Sequence, residues 1–201
     1  MTGERKQTRR KRVGKAGLLS AARELAAEEG WGAVSVRKIA DRVGYRAPVV
    51  YEYFESKDDL LFELLKGGFG DLARAVRAAR EDAPDAEGAL YAVARAYLRF
   101  AWGSPDLYQV MYGLGGVPFA ASETWEEGQR VGDEVGLAVE EAMRGRGKEA
   151  TDVAEEVLAL WAAVHGLVAL TMAGRMEGGE EQAERLGEKA VRDALAAWKR
   201  G

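Results

Sequence analysis

Two short apolar-periodic segments, joined across a glycine, constrain the fold of this chain most strongly. Val36, Ile39, Ala40 and Val43 recur at i, i+3, i+4 and i+7, the spacing of one helical face. Ser35 stands before them as a predicted N-cap, its hydroxyl placed to accept a first-turn N–H. Val34 and Ile39 form a predicted hydrophobic staple around that cap. Gly44 suits the left-handed residue that ends such a helix. Pro48 fits the first turn of a second helix over 47–54, where its missing N–H costs nothing. Segments 35–43 and 47–54 together have the size of a helix-turn-helix. The inner faces pack through Ile39, Ala40, Val43 and Val50.

The flanking sequence continues in helical periods. Leu18, Ala21, Ala22 and Leu25 mark one face of a helix over 13–29, which Gly30 stops before a turn at Trp31-Gly32. Ser56 caps a further helix, with Asp58 and Asp59 in the first turn and Leu60, Leu61, Leu64 and Leu65 along its face. Gly67-Gly68 is expected to loosen that helix before it resumes toward residue 80. Breaks at Pro84, Gly103–Pro105, 113–118, 145–147 and 178–179 delimit helices over 85–102, 105–114, 120–144, 150–176 and 180–199. No stretch alternates convincingly as a strand does. The expected class is all-α, with about nine helices. Its expected organisation is a flexible basic arm over 1–12, a three-helix domain over 13–56 and a helical domain over 57–201. Residues 157–173 are apolar nearly all round, which fits a helix buried on several sides in a bundle or dimer core; a membrane span is the competing reading.

Charge divides along the same line. Residues 1–55 carry 12 Lys/Arg against 7 Asp/Glu, and residues 56–201 carry 17 against 26. A basic front on an acidic body calls for an anionic partner at the front, with duplex nucleic acid ahead of a membrane surface. In the hairpin, Arg37, Lys38, Arg42, Arg46 and Tyr51 are the outward residues suited to groove and phosphate. The chain has no cysteine and one histidine, His165. Disulfide frameworks, zinc fingers, thiol nucleophiles and multi-histidine metal sites are thereby excluded. No catalytic order of residues, phosphate loop or metal spacing points to an enzyme, and no cofactor or metal is expected. The basic start lacks an apolar segment of the secretory kind, so a cytoplasmic protein is expected. A helical protein-interaction or membrane-surface module using residues 1–12 as an electrostatic anchor is the alternative.

Residues 13–66 resemble the N-terminal domain of the tetracycline-repressor (TetR) family of bacterial transcription regulators. The likeness is carried by AARELAAEEGWGAVSVRKIADRVGYRAPVVYEYFESKDDLL, with Ser35, Ile39-Ala40, Gly44, Tyr51, Phe54 and Lys57 at the family's spacing. The resemblance implies a repressor that binds a palindromic operator as a homodimer and leaves it on binding a small ligand. It lends DNA contact to Arg37, Ala47, Pro48, Tyr51, Tyr53 and Lys57, and Ser35 and Arg46 are further DNA-contact candidates, Arg46 for a phosphate. Tyr45 and Arg46 depart from the family's commoner small or hydroxyl residues, Glu52 is acidic within the recognition helix, and Val49 lacks a hydroxyl. Farther on, Trp161, His165 and Gly166 resemble the W-x-x-x-H-G subset of the family, whose C-terminal domain binds ligand and dimerises. Dimerisation is expected through residues 150–199, with no membrane partner. Trp102, Tyr108, Met111, Tyr112, Trp125, Trp161, His165 and Met172 are the candidate lining of a pocket for a small apolar or weakly polar effector.

Overall fold

A computed structural model describes residues 13–114, 116–117, 121–147 and 153–198; of residues 121–125 it describes the backbone alone. All regular structure among them is helical. The chain divides into two compact units, Met1–Leu61 and Phe62–Gly201. Residues 1–12, 148–152 and 199–201, and the Trp125 side chain, lie outside the described set. So do the basic arm and parts of the expected dimer segment.

The first unit is built on α1 (Lys15–Glu29), α2 (Val36–Arg42) and α3 (Ala47–Tyr51). Leu18, Ala21, Ala22 and Leu25 of α1 are buried, the face that the spacing gave. Gly30 (φ 79°) ends α1, and a 3-10 turn at Trp31–Ala33 follows, with Trp31 as a core anchor. Ser35 caps α2, its Oγ accepting from the Lys38 N–H at 3.3 Å. Gly44, at φ 74°, takes the left-handed turn between α2 and α3 that a side chain would strain. α3 is shorter than the expected 47–54. Beyond Tyr51 the N–H groups of Tyr53 and Phe54 both reach back to Val50 O, each at 3.0 Å, closing the helix and turning Phe54 into the core.

α4 (Lys57–Glu81) crosses the division at Leu61. Ser56 Oγ accepts from the Asp59 N–H at 3.0 Å, and Asp59 Oδ2 accepts from the Glu55 N–H at 3.0 Å. The helix runs unbroken through Gly67 and Gly68, against the expected loosening. The reason is packing. A Cβ on Gly68 would lie 2.6 Å from Met111 Sδ and 3.0 Å from Leu107 Cγ, so this glycine lets another helix approach closely, while Gly67 faces open space.

The second unit adds α5 (Ala86–Gly103), α6 (Pro105–Met111), α7 (Ala121–Gly145), α8 (Val153–Met172) and α9 (Gly179–Trp198). α5 is central and touches α6, α7, α8 and α9. Asp85 caps it by accepting from the Gly88 N–H at 2.7 Å. Two arginine clasps tie the helices. Glu134 of α7, 5% exposed, takes both Arg77 and Arg80 of α4, with Arg77 Nε at 2.6 Å and Arg80 Nη2 at 3.3 Å. Arg146 joins the Leu195 carbonyl of α9 at 2.6 Å and Glu87 of α5 at 2.6 Å.

Within the chain α8 is covered along one stripe. It is long and apolar enough to cross a membrane by length and composition, with a mean hydropathy of 1.6. Within one chain it is not buried on several sides, because α5, α7 and α9 cover a single stripe of Leu160, Val164 and Val168. Leu158 (59%) and Leu170 (46%) stay exposed. At Gly166, too, a Cβ would meet no described neighbour within 4 Å, so that face of α8 stays open among the described residues.

Candidate nucleic-acid interface and interior cavity

The first unit holds α2 and α3 as a braced hairpin and leaves one face free. Arg37, Arg46, Pro48 and Tyr51 are exposed, Tyr51 by 57%, and Ala47 is half-buried beside them. An aromatic that exposed on so short a helix contributes little to the core. Among the described residues Arg37 pairs with Asp41, with 3.9 Å between their charges; both are well exposed, so the pair holds it weakly. Ser35 caps α2 and keeps its own hydroxyl proton for another acceptor.

Four other polar residues of the hairpin region have partners inside the unit. Arg42 forks onto Glu28 of α1 at 2.9 and 2.5 Å and reaches Glu24 at 3.7 Å. Its hydrogen bond holds the Glu28 carboxyl below the usual carboxylate range. Lys38 meets Glu29 at 2.6 Å. The expected outward role of Lys38 and Arg42 is therefore corrected. Lys38 and Arg42 reach Glu29 and Glu28 at the C-terminal end of α1, whereas Arg37 pairs within α2. Tyr53 donates its one hydroxyl proton to Val13 O at 3.0 Å, and Lys57 donates to Trp31 O at 3.3 Å, capping the 3-10 turn. Both side chains thus brace the unit.

The second unit contains a cavity of about 1280 Å³. α7 supplies one wall through Gly128, Gly132 and Gly136, which stand one helical turn apart with no Cβ to fill the space. α8 supplies Val157, Leu160, Trp161, Val164 and His165, and α5 supplies Leu90, Val93, Ala94 and Tyr97. Of the candidate pocket residues, Met111, Tyr112, Trp161 and His165 line it. Tyr108 stands behind them, fully buried. Trp102 and Met172 are not on the wall, a correction to the expected lining. Both sit near the C-terminal ends of their helices, α5 and α8, away from the stretches that face the cavity.

One end of the cavity is polar. Trp161 Nε1 donates to Tyr97 Oη at 3.1 Å, Tyr97 and Tyr108 share a hydrogen bond of 3.0 Å, and Tyr108 Oη lies 2.6 Å from His165 Nδ1. Trp161 and His165 are therefore joined through two tyrosines, although four residues apart on one helix face. Tyr112 packs on His165 with ring centroids 4.8 Å apart. Burial pushes the hydroxyls of Tyr97, Tyr108 and Tyr112 well above the ordinary tyrosine range, so all three keep their protons. Burial also lowers the His165 imidazole below its ordinary value, which favours the neutral ring. The described lining includes Asp133 and Glu140 and no Lys or Arg.

Residues 90–194 match the tetracyclin repressor-like C-terminal domain, and residues 18–64 match the bacterial regulatory proteins of the tetR family. The chain belongs to the TetR family. This TetR-family transcriptional regulator is 32% identical over 95 residues to the HTH-type transcriptional activator FasR of Mycolicibacterium smegmatis, a match covering 47% of the chain and 43% of FasR. The matched stretch thus spans less than half of that relative. A protein of unknown function from Rhodococcus sp. RHA1 has the same fold, with a TM-score of 0.80, 26% identity, and coverage of 96% of this chain and 98% of that one. FadR from Bacillus subtilis, solved in complex with stearoyl-CoA, shares the fold at a TM-score of 0.75 and 19% identity, over 91% of this chain and 98% of its own.

Sequence reasoning missed three parts of the regulator. Neither Tyr97 of α5 nor Glu134 of α7 stood among the candidate residues. The glycines 128, 132 and 136 carried a legible signal, a four-residue repeat along one face of a helix.

Proposed function

We propose that the regulator is a homodimeric repressor that reads a palindromic operator and leaves it on binding a small apolar or weakly polar effector. The observation that carries the reading is the exposed face of the α2–α3 hairpin, with Arg37, Arg46, Pro48 and Tyr51 outward and the other basic side chains of α2 turned onto α1. Ala47, Pro48 and Tyr51 meet the floor of the major groove. Arg37 takes a guanine, a contact worth roughly 1–3 kcal/mol of discrimination. Arg46 and the Ser35 hydroxyl meet phosphate, and the backbone N–H groups opening α4 beside Lys57 attract a further one. The basic residues 5–12 add contacts to phosphate or minor groove.

One recognition helix reads few base pairs, so two copies act together on half-sites about 34–36 Å apart. The apolar surface that α8 leaves exposed, with Leu158 and Leu170, supports pairing through residues 150–199 rather than membrane insertion. The acidic residues Glu155 and Glu156 in its first turn favour the same reading. The effector takes the cavity, and release follows if the cavity closes better around it in the conformation that spreads the recognition helices. The protein acts in the cytoplasm, where its DNA is.

A selection of genomic fragments by the purified chain tests this. Retained fragments are expected to share a palindrome, and gel-shift affinity for it is expected to fall at least tenfold in Tyr51→Ala and in Arg37→Ala with helical content unchanged. Fragments without a shared sequence, or full affinity in both variants, refute the reading.

A further inference from the structure

The polar end of the cavity says more about a ligand than the volume does. Trp161 Nε1 is a donor only, and it donates to Tyr97 Oη. Each tyrosine hydroxyl has one proton. In the order Trp161, Tyr97, Tyr108, His165, every proton along the chain of bonds meets an acceptor. In the reverse order the buried Tyr97 proton finds no acceptor among these four and must turn to Tyr112, its other hydrogen-bond partner. The forward order makes His165 Nδ1 the terminal acceptor, so the proton of the neutral ring sits on Nε2. Burial favours that neutral ring. His165 lines the cavity, and no described residue accepts from its Nε2. At its polar end the cavity thus presents the His165 N–H as a donor, and its described walls include no Lys or Arg.

The opposite requirement comes from α7. A Cβ on Gly132 or Gly136 would meet no described atom within 4 Å, so no described side chain fills the room these glycines leave. Glycine is a poor residue in mid-helix, and here it leaves a bare strip of backbone along the cavity wall.

We propose that the effector is an uncharged carbonyl compound, a ketone, ester or amide on an apolar body, whose oxygen accepts from His165 Nε2 while the body lies along the glycine strip of α7. The inference rests on the cavity being the effector site. A carboxylate in this place would give up its water without meeting a Lys or Arg among the described walls. A plain hydrocarbon would fill the space and leave the Nε2 proton unmatched.

The test is displacement of the apolar dye 1-N-phenylnaphthylamine from the full chain at about pH 8, where a fatty carboxyl is ionised. The probes are 2-undecanone, undecane and undecanoate, equal in length and different only at one end. The ketone is expected to bind about tenfold more tightly than either other probe, the worth of one buried hydrogen bond. His165→Phe removes that preference, and His165→Gln, which keeps an N–H near the same place, retains it. If His165→Phe loses its helical circular dichroism, Tyr108→Phe serves instead: it frees Nδ1, so the Nε2 proton is no longer fixed and the preference falls. Equal binding of the three probes, tighter binding of undecanoate, or a ketone preference that survives in the tested Phe variant overturns the proposal while the cavity remains the effector site. Failure of the dye and of every probe to bind overturns the effector-site reading itself, and the proposal with it.

Discussion

The neighbouring glycines 67 and 68 of α4 should respond with opposite sign to the same substitution. Glycine in mid-helix costs about 0.5–1 kcal/mol relative to alanine, so Gly→Ala gains that much wherever a methyl fits. At Gly67 it fits, since nothing lies within 4 Å of the new carbon. At Gly68 the carbon would stand 2.6 Å from Met111 Sδ, 2.9 Å from Met111 Cγ and 3.0 Å from Leu107 Cγ. Met111 and Leu107 are buried, and neither atom is a free side-chain end that can swing aside. Forcing them back is an overpacking cost of roughly 1–3 kcal/mol. The helix gain is common to both variants, so the difference between them isolates the steric cost, about 2 kcal/mol. For a chain of this length that is roughly 4–8 °C between their melting points, compared at one protein concentration because dimerisation shifts both. Shortening the obstacle provides the control. In a Met111→Ala background the added Gly68→Ala should lose most of its penalty, a coupling that a double-mutant cycle reads directly. Melting points for Gly67→Ala and Gly68→Ala within 1 °C of each other would refute the close approach of α6 to α4.

The clasp on Glu134 yields a second expectation. Glu134→Ala leaves Arg80 short of its buried partner and should cost roughly 2–3 kcal/mol, at the low end for a broken buried pair because Arg77 is 61% exposed. The Arg77 hydrogen bond holds the Glu134 carboxyl below the ordinary carboxylate range. Its folded value is thus the lower one, so its stabilisation is full above the unfolded value and is lost as pH falls through the folded value. Urea titrations of wild type and Glu134→Gln should converge below about pH 4, and a gap that widens there would contradict this sign. Arg42→Ala and Arg37→Ala should separate stability from DNA binding. Removing Arg42 frees Glu28 and lowers the melting point with a small effect on operator affinity, whereas removing Arg37 leaves the melting point unchanged and weakens binding. A gel shift and a thermal scan of each variant decide it, and the reverse assignment would disprove the division of roles. Tyr53→Phe should behave as Arg42→Ala does, because its hydroxyl serves Val13.

The amino-acid order determines the local elements of this regulator, because their causes lie within a few residues. Ser35, Ser56 and Asp85 cap the helices that follow them, and Gly30 and Gly44 occupy positive-φ turns. The apolar period of α1 names its buried face correctly. These follow from backbone sterics and from hydrogen bonds that span at most one turn. Tertiary structure decides what each face meets. Arg37, Lys38 and Arg42 look alike in sequence, and only the placement of α1 assigns two of them to Glu28 and Glu29 and leaves the third outward. Trp102, Met111 and Trp161 are equally plausible as core or wall until the helices are packed. A cavity is a volume that no side chain enters, and a period along one helix carries no information about how far away its neighbour stands. The chain of bonds from Trp161 to His165 has the same origin. It passes through tyrosines from α5 and α6, and only the packing of three helices brings their hydroxyls within reach.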